Sequence, residues 1–266
     1  PFDTVGQHYA NSATAGLDRP TRDSGILVTC AVQGLERIYR DRWGDFSDFS
    51  FVIVGNFDEA ELREYCQGYL ADLPSQGRQE KPRDVGLNPL QGKSKIRLQQ
   101  GQSERSFASL ITNAKYAFGA KNNVMLDALM YVVNEKLREN IREERSGVYF
   151  IQAWQSTASY PVSRYTIGTM MGCAPARLKE LIGAIYETLD SLRAGDIDAR
   201  YLVAANATLQ QQFDENLKSN RFWISQLKAD IWQGRKLASF LDEPGFFDQI
   251  NLKQLAKAAK KYLRSD

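Results

Sequence analysis

The sequence predicts an α+β domain: one mainly antiparallel β-sheet with helices packed on one face. Two observations carry that expectation. Short β-branched and aromatic runs stand apart from longer stretches with helical spacing, in the order β-α, β-β, α, β-β, α-α, α. Strands therefore come in runs and helices follow in runs, which is the pattern of a segregated α+β fold and not of alternating β-α units. Residues 1–45 read as an N-terminal segment, the tail of a preceding domain, and residues 46–266 as the α+β domain itself.

To about Gly25 the chain is polar and irregular. Leu27, Cys30, Ala31, Leu35, Ile38 and Trp43 then recur at rough helical spacing and predict a helix from Ile26 to Trp43. The run Phe49-Ser50-Phe51-Val52-Ile53-Val54, stopped by Gly55, predicts a buried strand. Asp58 and Glu61 have capping-box spacing and start a helix to about Leu73, which Pro74 ends. A strand, a glycine and an acidic cap superficially suggest a nucleotide-binding turn. The turn has neither G-x-G-x-x-G nor G-x-x-x-x-G-K-[ST], so that reading is rejected. Residues 75–93 are rich in Pro, Gly and charge and read as a linker or long loop. Lys95 to Gln99 and Phe107 to Thr112 predict two strands around a polar turn.

A long helix is predicted from about Asn122 to Arg145. Leu126, Leu129, Met130, Val133, Leu137 and Ile141 make its core stripe. Arg138, Arg142 and Arg145 fall on an adjacent stripe, where basic residues in a last turn also suit the helix dipole. Strands follow at Val148 to Gln155 and Arg164 to Cys173, joined through Tyr160-Pro161. Pro175 opens a helix with Leu178, Leu181, Ile182, Ile185, Leu189 and Leu192 inward and Gly195 as its stop. Asp198 begins a helical stretch predicted to run to about Gln233, with Phe213, Leu217, Trp223, Ile224, Leu227 and Ile231 read as core. Asn251 caps a last helix with Leu252, Leu255, Ala259 and Leu263 inward and Lys257, Lys260, Lys261 and Arg264 solvated.

Composition excludes several functions. With 34 basic and 32 acidic residues the chain is nearly balanced, so no nucleic-acid-binding face is expected. No apolar run approaches the ~18 residues a membrane-spanning helix needs. The opening PFDTVGQHYANS has neither a charged nor an apolar signal region and no initiator Met, so the chain is expected to be part of a longer or processed polypeptide. Cys30, Cys66 and Cys173 form no C-x-x-C pair, which speaks against a cysteine zinc site, and they read as buried apolar residues. The single histidine, His8, lies in the polar N-terminal segment. A hydrolytic zinc site normally takes two or three imidazoles, so this chain by itself is poorly equipped for hydrolysis.

The stretch of most chemical interest is Leu137 to Phe150, LRENIREERSGVYF. It is a helix end rich in guanidinium groups, a Ser-Gly break, and a strand opening on a phenol. Arg142 offers a forked, permanently charged donor and Tyr149 a hydroxyl donor on a rigid ring. A helix end and the next strand can aim both at the carbonyl oxygens of one bound peptide. The plainer reading is a surface arginine and a half-buried tyrosine.

Five segments resemble, in order, the C-terminal domain of pitrilysin/insulinase-type zinc metallopeptidases, the inverzincins, and within them the bacterial periplasmic zinc proteases. They are FSFVIVGNFD from Phe49, YLADLP from Tyr69, LRENIREERSGVYF from Leu137, NLKSNRFWISQL from Asn216 and KAAKKYL from Lys257. The resemblance covers roughly Leu35 to the C-terminus. It implies a mitochondrial processing peptidase-like metallohydrolase domain and, for the parent, the bacterial periplasm. It implies two homologous halves closing around a peptide, with zinc held by an H-x-x-E-H motif in the catalytic half. It maps the substrate-binding Arg and Tyr onto Arg142 and Tyr149. No H-x-x-E-H occurs in this chain, so no catalytic residue and no zinc are expected in it. The partners implied are a peptide substrate and a catalytic N-terminal half, or a homologous catalytic subunit. The leading expectation is the substrate-binding C-terminal part of a zinc endopeptidase. The rival is a non-catalytic peptide-binding or assembly subunit beside a separate catalytic one.

Overall fold

Every residue of the stripe predicted on the long helix is buried: Leu126, Leu129, Met130, Val133, Leu137 and Ile141. That stripe organises the larger of two compact units, which divide the chain at Gln99 and Gln100. The structure, a computed structural model, describes residues 32–81, 92–99, 103–143, 145 and 147–264. His8, Leu27, Cys30 and Ala31 lie outside the described residues.

In the first unit, helix α1 spans Val32–Trp43 and helix α2 spans Glu59–Tyr69. The Asp58 side chain caps α2 by accepting from the backbone N–H groups of Ala60 and Glu61. The reciprocal half of the capping box is not made, because the Glu61 carboxylate accepts from the Tyr65 hydroxyl instead. The helix ends at Tyr69, four residues before the predicted Leu73. Two expectations fail here. Among the described residues Phe49 to Val54 and Lys95 to Gln99 form no strand ladder, and Phe51 and Ile53 are exposed where a buried strand was predicted. Alternating β-branched residues favour an extended chain, but a strand exists only when a partner supplies the ladder, and the pattern names no partner. The predicted inward residues Leu35, Ile38 and Trp43 are likewise exposed. Trp43 stacks on Tyr39 and meets the edge of Phe49. Asp45 ties the unit together, accepting from the backbone N–H groups of Ser47, Gln76 and Arg78 and from the Ser47 hydroxyl. That hydroxyl, with the three N–H groups, holds its carboxyl at about 2.

In the second unit, strand β1 is Ser106–Lys115, helix α3 Ala120–Leu137, strand β2 Val148–Ala158 and strand β3 Arg164–Cys173. The sheet is antiparallel throughout, in the order β1-β3-β2. A 3₁₀ turn at Pro175–Arg177 leads into helix α4, Leu178–Ala194, which stops where Gly195 adopts φ +91°. The predicted unbroken helix from Asp198 is in fact two, α5 at Ala199–Asn216 and α6 at Asn220–Trp232. Leu217 to Ser219 make the break: the Trp223 indole N–H donates to the freed Leu217 carbonyl, and the Ser219 carbonyl starts the next helix. Ser and Asn favour such helix starts over helix interiors. After a 3₁₀ turn at Ser239–Asp242, a short helix α7 covers Pro244–Phe247. Helix α8, Leu252–Tyr262, opens on a complete Asn251/Gln254 capping box.

One sheet face is core. Tyr165, Ile167, Thr169, Met171 and Cys173 alternate inward from β3 and are buried. Helix α3 packs on β2, α4 on β1, and α8 against both helices. The Tyr165 hydroxyl donates to the Tyr262 carbonyl, fastening sheet to α8. Asn134 fastens α3 to β2: its side-chain amide donates to the Ala153 carbonyl and accepts from the Ala153 N–H.

The opposite face carries aromatic rings laid over glycines. Trp154 pairs with Gly168 and Phe150 with Gly172 across the ladder. A Cβ on Gly168 would lie 2.3–2.5 Å from the Trp154 indole, and one on Gly172 2.6 Å from the Phe150 ring. Glycine within a strand marks such a close approach. Gly168→Ala must displace the indole, and a loss of about 1–3 kcal/mol is expected in urea denaturation of this chain. An unchanged denaturation midpoint would show that Trp154 does not rest on Gly168.

Candidate substrate-binding site

The long helix does not continue regularly to Arg145 as predicted. After Leu137 it widens into a π-helical segment, Arg138–Glu143. A π turn takes an extra residue per turn, so it breaks the single arginine stripe expected from α-helical spacing. The three arginines part company. Arg138 pairs with Glu135 and Glu143 on its own helix. Arg145 reaches Glu187 on α4 at 2.8 Å. Arg142 is exposed and has no ion pair or hydrogen bond among the described residues. An exposed Arg142, unpaired among the described residues, fits the plainer reading of a surface arginine as well as a substrate-facing one, whereas Arg138 and Arg145 are held by ion pairs.

The π segment is anchored through Glu139 and Asn140. Glu139 accepts from the Tyr201 hydroxyl and from Arg200 at the start of α5. Asn140 donates to the Thr188 hydroxyl on α4. Burial and the Glu139 carboxylate both push the Tyr201 phenol up, which keeps it a hydrogen-bond donor.

Tyr149 enters by a second irregularity. Val148 pairs with Cys173 and Phe150 with Gly172, so Tyr149 is the extra residue of a bulge at the start of β2. A bulge turns one side chain out of the regular alternation. Tyr149 is 61% exposed, not half-buried as the plainer reading has it. The Arg105 guanidinium, just before β1, stands 5.9 Å from the centre of its ring. No hydrogen bond or ring contact joins Arg142 to Tyr149. Both are exposed donors, one on each side of the connection from π segment to strand.

Sequence reasoning missed Arg105 and Arg177. The Arg177 guanidinium bonds both oxygens of Glu180, at 3.1 and 2.8 Å, and donates to the Arg145 carbonyl at 3.0 Å. Glu180 is held below the ordinary carboxylate range by that same hydrogen bond. No local spacing links either arginine to Tyr149, since each arrives from another part of the sheet or helix layer.

Among the described residues no three His, Cys, Asp or Glu side chains gather as metal ligands. Cys66 and Cys173 are free thiols on separate units. No helix among the described residues is long and apolar enough to cross a membrane.

Residues 35–209 match the model of the peptidase M16 inactive domain. The chain belongs to this family. Its domain is the non-catalytic half of M16 protease-like proteins, in agreement with the family resemblance of its motifs. A curated relative, the Probable zinc protease PqqL of Haemophilus influenzae, is 22% identical over 200 residues, 75% of this chain and 21% of its own length. The fold also matches the crystal structure of the periplasmic protease PqqL from Escherichia coli, with a TM-score of 0.76 at 19% identity, covering 98% of this chain and 29% of that one. A peptidase M16 inactive domain from Pseudomonas fluorescens superposes with a TM-score of 0.70 at 13% identity, covering 89% of this chain and 56% of that one. The chain spans about a fifth of the length of the curated relatives it matches.

Proposed function

We propose that this inactive M16 domain is the substrate-binding part of a zinc metalloendopeptidase that cleaves peptides in a closed two-half chamber. Arg142 and Tyr149 donate hydrogen bonds to carbonyl oxygens of the bound peptide. The zinc and the catalytic base belong to the partner half, which supplies metal-assisted hydrolysis. The observation that carries the reading is Arg142 itself. Its two neighbouring arginines are spent on ion pairs, while among the described residues it stands exposed and unpaired, seven positions before an exposed tyrosine. Such donors act only when another surface brings a substrate to them, since proximity and orientation carry much of a catalytic effect.

The proportions of the relatives favour a catalytic half in the same polypeptide: both curated proteases are single chains of which this one matches about a fifth. A separate catalytic subunit is the alternative, and the reading frame upstream of Pro1 separates them by the presence or absence of H-x-x-E-H. The test of function is a mixing titration with a fluorogenic unfolded peptide. This chain alone is expected to hold no stoichiometric zinc and to cleave nothing. Its catalytic half is expected to gain chelator-sensitive cleavage on its addition. Near one zinc per chain after dialysis would overturn the assignment of the metal to the partner. Full activity of the catalytic half without this chain would overturn the substrate-binding role.

A further inference from the structure

Two side chains of the α4 region hold Arg145, between Arg142 and Tyr149: Glu187 pairs with its guanidinium at 2.8 Å, and Arg177 bonds its carbonyl. Arg177 lies beyond β3, in the 3₁₀ turn that opens α4. Its Nη1 donates to the Arg145 carbonyl at 3.0 Å, while Nε and Nη2 grip Glu180. Gly147 makes room for it. A Cβ there would sit 2.4 Å from Nη1 and 3.3 Å from Cδ and Cζ of Arg177, and the residue also adopts φ +79°. Glycine is required at this position twice over, by its backbone and by the guanidinium against it. The next residues are the bulge, Val148 to Phe150, with Val148 paired to Cys173.

An i,i+3 Arg–Glu pair on an exposed helix start is worth little on its own. Here the same guanidinium also bonds a carbonyl 32 residues away, and a fork with two occupied sides is rigid in a way a single surface pair is not. Arg177 therefore ties the start of α4 to the exit of the π segment. Glu139 and Asn140 anchor that segment as well.

We infer that Arg177 is a positioning residue: bridging Glu180 and the Arg145 carbonyl over Gly147, it sets the aim of Arg142 and Tyr149 on the substrate. This deepens the proposed function and rests on it. Arg177 touches neither side chain of the pair, so its effect passes through the Arg145 carbonyl it bonds and the Gly147 it packs against.

The test uses the full-length polypeptide, or the two-subunit assembly, that unites this chain with its catalytic half. Arg177→Ala is expected to lower kcat/KM for an unfolded peptide by about tenfold, since misplacements of about 1 Å cost up to ~10²-fold. In a Tyr149→Phe, Arg142→Ala background it is expected to cost less than about twofold more, because its target is already gone. Amide exchange of Gly147, Val148 and Tyr149 should quicken while the melting midpoint holds. Glu180→Gln, which loosens the fork without removing it, should give the same pattern in milder form and serves if Arg177→Ala folds poorly. Wild-type exchange at those amides in both variants, or a loss that multiplies fully with the double variant, overturns the positioning role alone. If the Arg142→Ala, Tyr149→Phe protein itself keeps wild-type kcat/KM, the substrate-binding reading falls, and this inference with it.

Discussion

Arg142→Ala is expected to lower kcat/KM for peptide cleavage by the assembled enzyme roughly ten- to a hundredfold, with Tyr149→Phe costing somewhat less. A hydrogen bond from a charged donor is worth about 1.5–3 kcal/mol, and about 1.4 kcal/mol is tenfold in rate. The structure sharpens the expectation on stability. Arg142 has no intramolecular partner to lose among the described residues, so its removal should leave the melting midpoint within the small scatter of surface substitutions. Tyr149→Phe deletes a hydroxyl and keeps the ring on which Arg105 rests. Arg138→Ala makes the control, because its guanidinium is already held by Glu135 and Glu143 and its loss should spare turnover. Initial rates on one fluorogenic peptide, with melting curves beside them, decide the matter. Wild-type kcat/KM in both site variants would sink the grip on substrate. Melting of the domain instead would return both residues to a structural role.

What the sequence disclosed follows from how far each signal reaches. Periodicity and capping are local, so the stripe from Leu126 to Ile141, the limits of the strand Arg164–Cys173 and the caps at Asp58, Asn251 and Gly195 all stand where they were predicted. Strand pairing is not local: Phe51 and Ile53 alternate as a strand does, yet among the described residues no ladder forms there. The break at Ser219 was masked because the apolar pattern on either side runs on unbroken. For the site, residue types and spacing singled out Arg142 and Tyr149. The π segment and the bulge that expose them are backbone irregularities without a motif. The Arg177 fork is invisible along the chain because its carbonyl partner lies 32 residues away.

The thermal midpoint of this chain is expected to fall as pH rises from about 4 to about 7, and Asp127→Asn and Glu243→Gln to flatten that fall. Asp127 projects from α3 toward β2, where the Gln155 amide donates to it at 2.6 Å. Burial pushes its carboxyl from 3.8 up to about 6, against that one hydrogen bond. Glu243, between the 3₁₀ turn and α7, is pushed from 4.5 up to about 7, first by burial and then by the Asp127 charge. Arg235 opposes the rise and Asp230 adds to it, but Arg235 is itself tied to the buried Asp230 at 2.8 Å. Both carboxyls therefore bind protons more tightly folded than unfolded. Their stabilising contribution is complete below their unfolded values and is lost as pH climbs through the folded ones. At about 1.4 kcal/mol per pH unit, the largely buried Asp127 accounts for roughly 3 kcal/mol, and the partly exposed Glu243 for less, because solvent screens part of its shift. The pair loses less than the sum of the two, since one charge is part of what raises the other. Asp45 works at the opposite end: its carboxyl, held at about 2, contributes stability that is lost as pH falls below about 4, mostly outside this window. The measurement is the melting midpoint of wild type and both variants across the range, read as variant minus wild type so that other titrations cancel. The asparagine should be the more stable protein at the alkaline end, because it keeps an acceptor for Gln155 without a buried charge. An Asp127→Asn curve parallel to wild type across the window would show that the carboxyl is not held neutral by the fold.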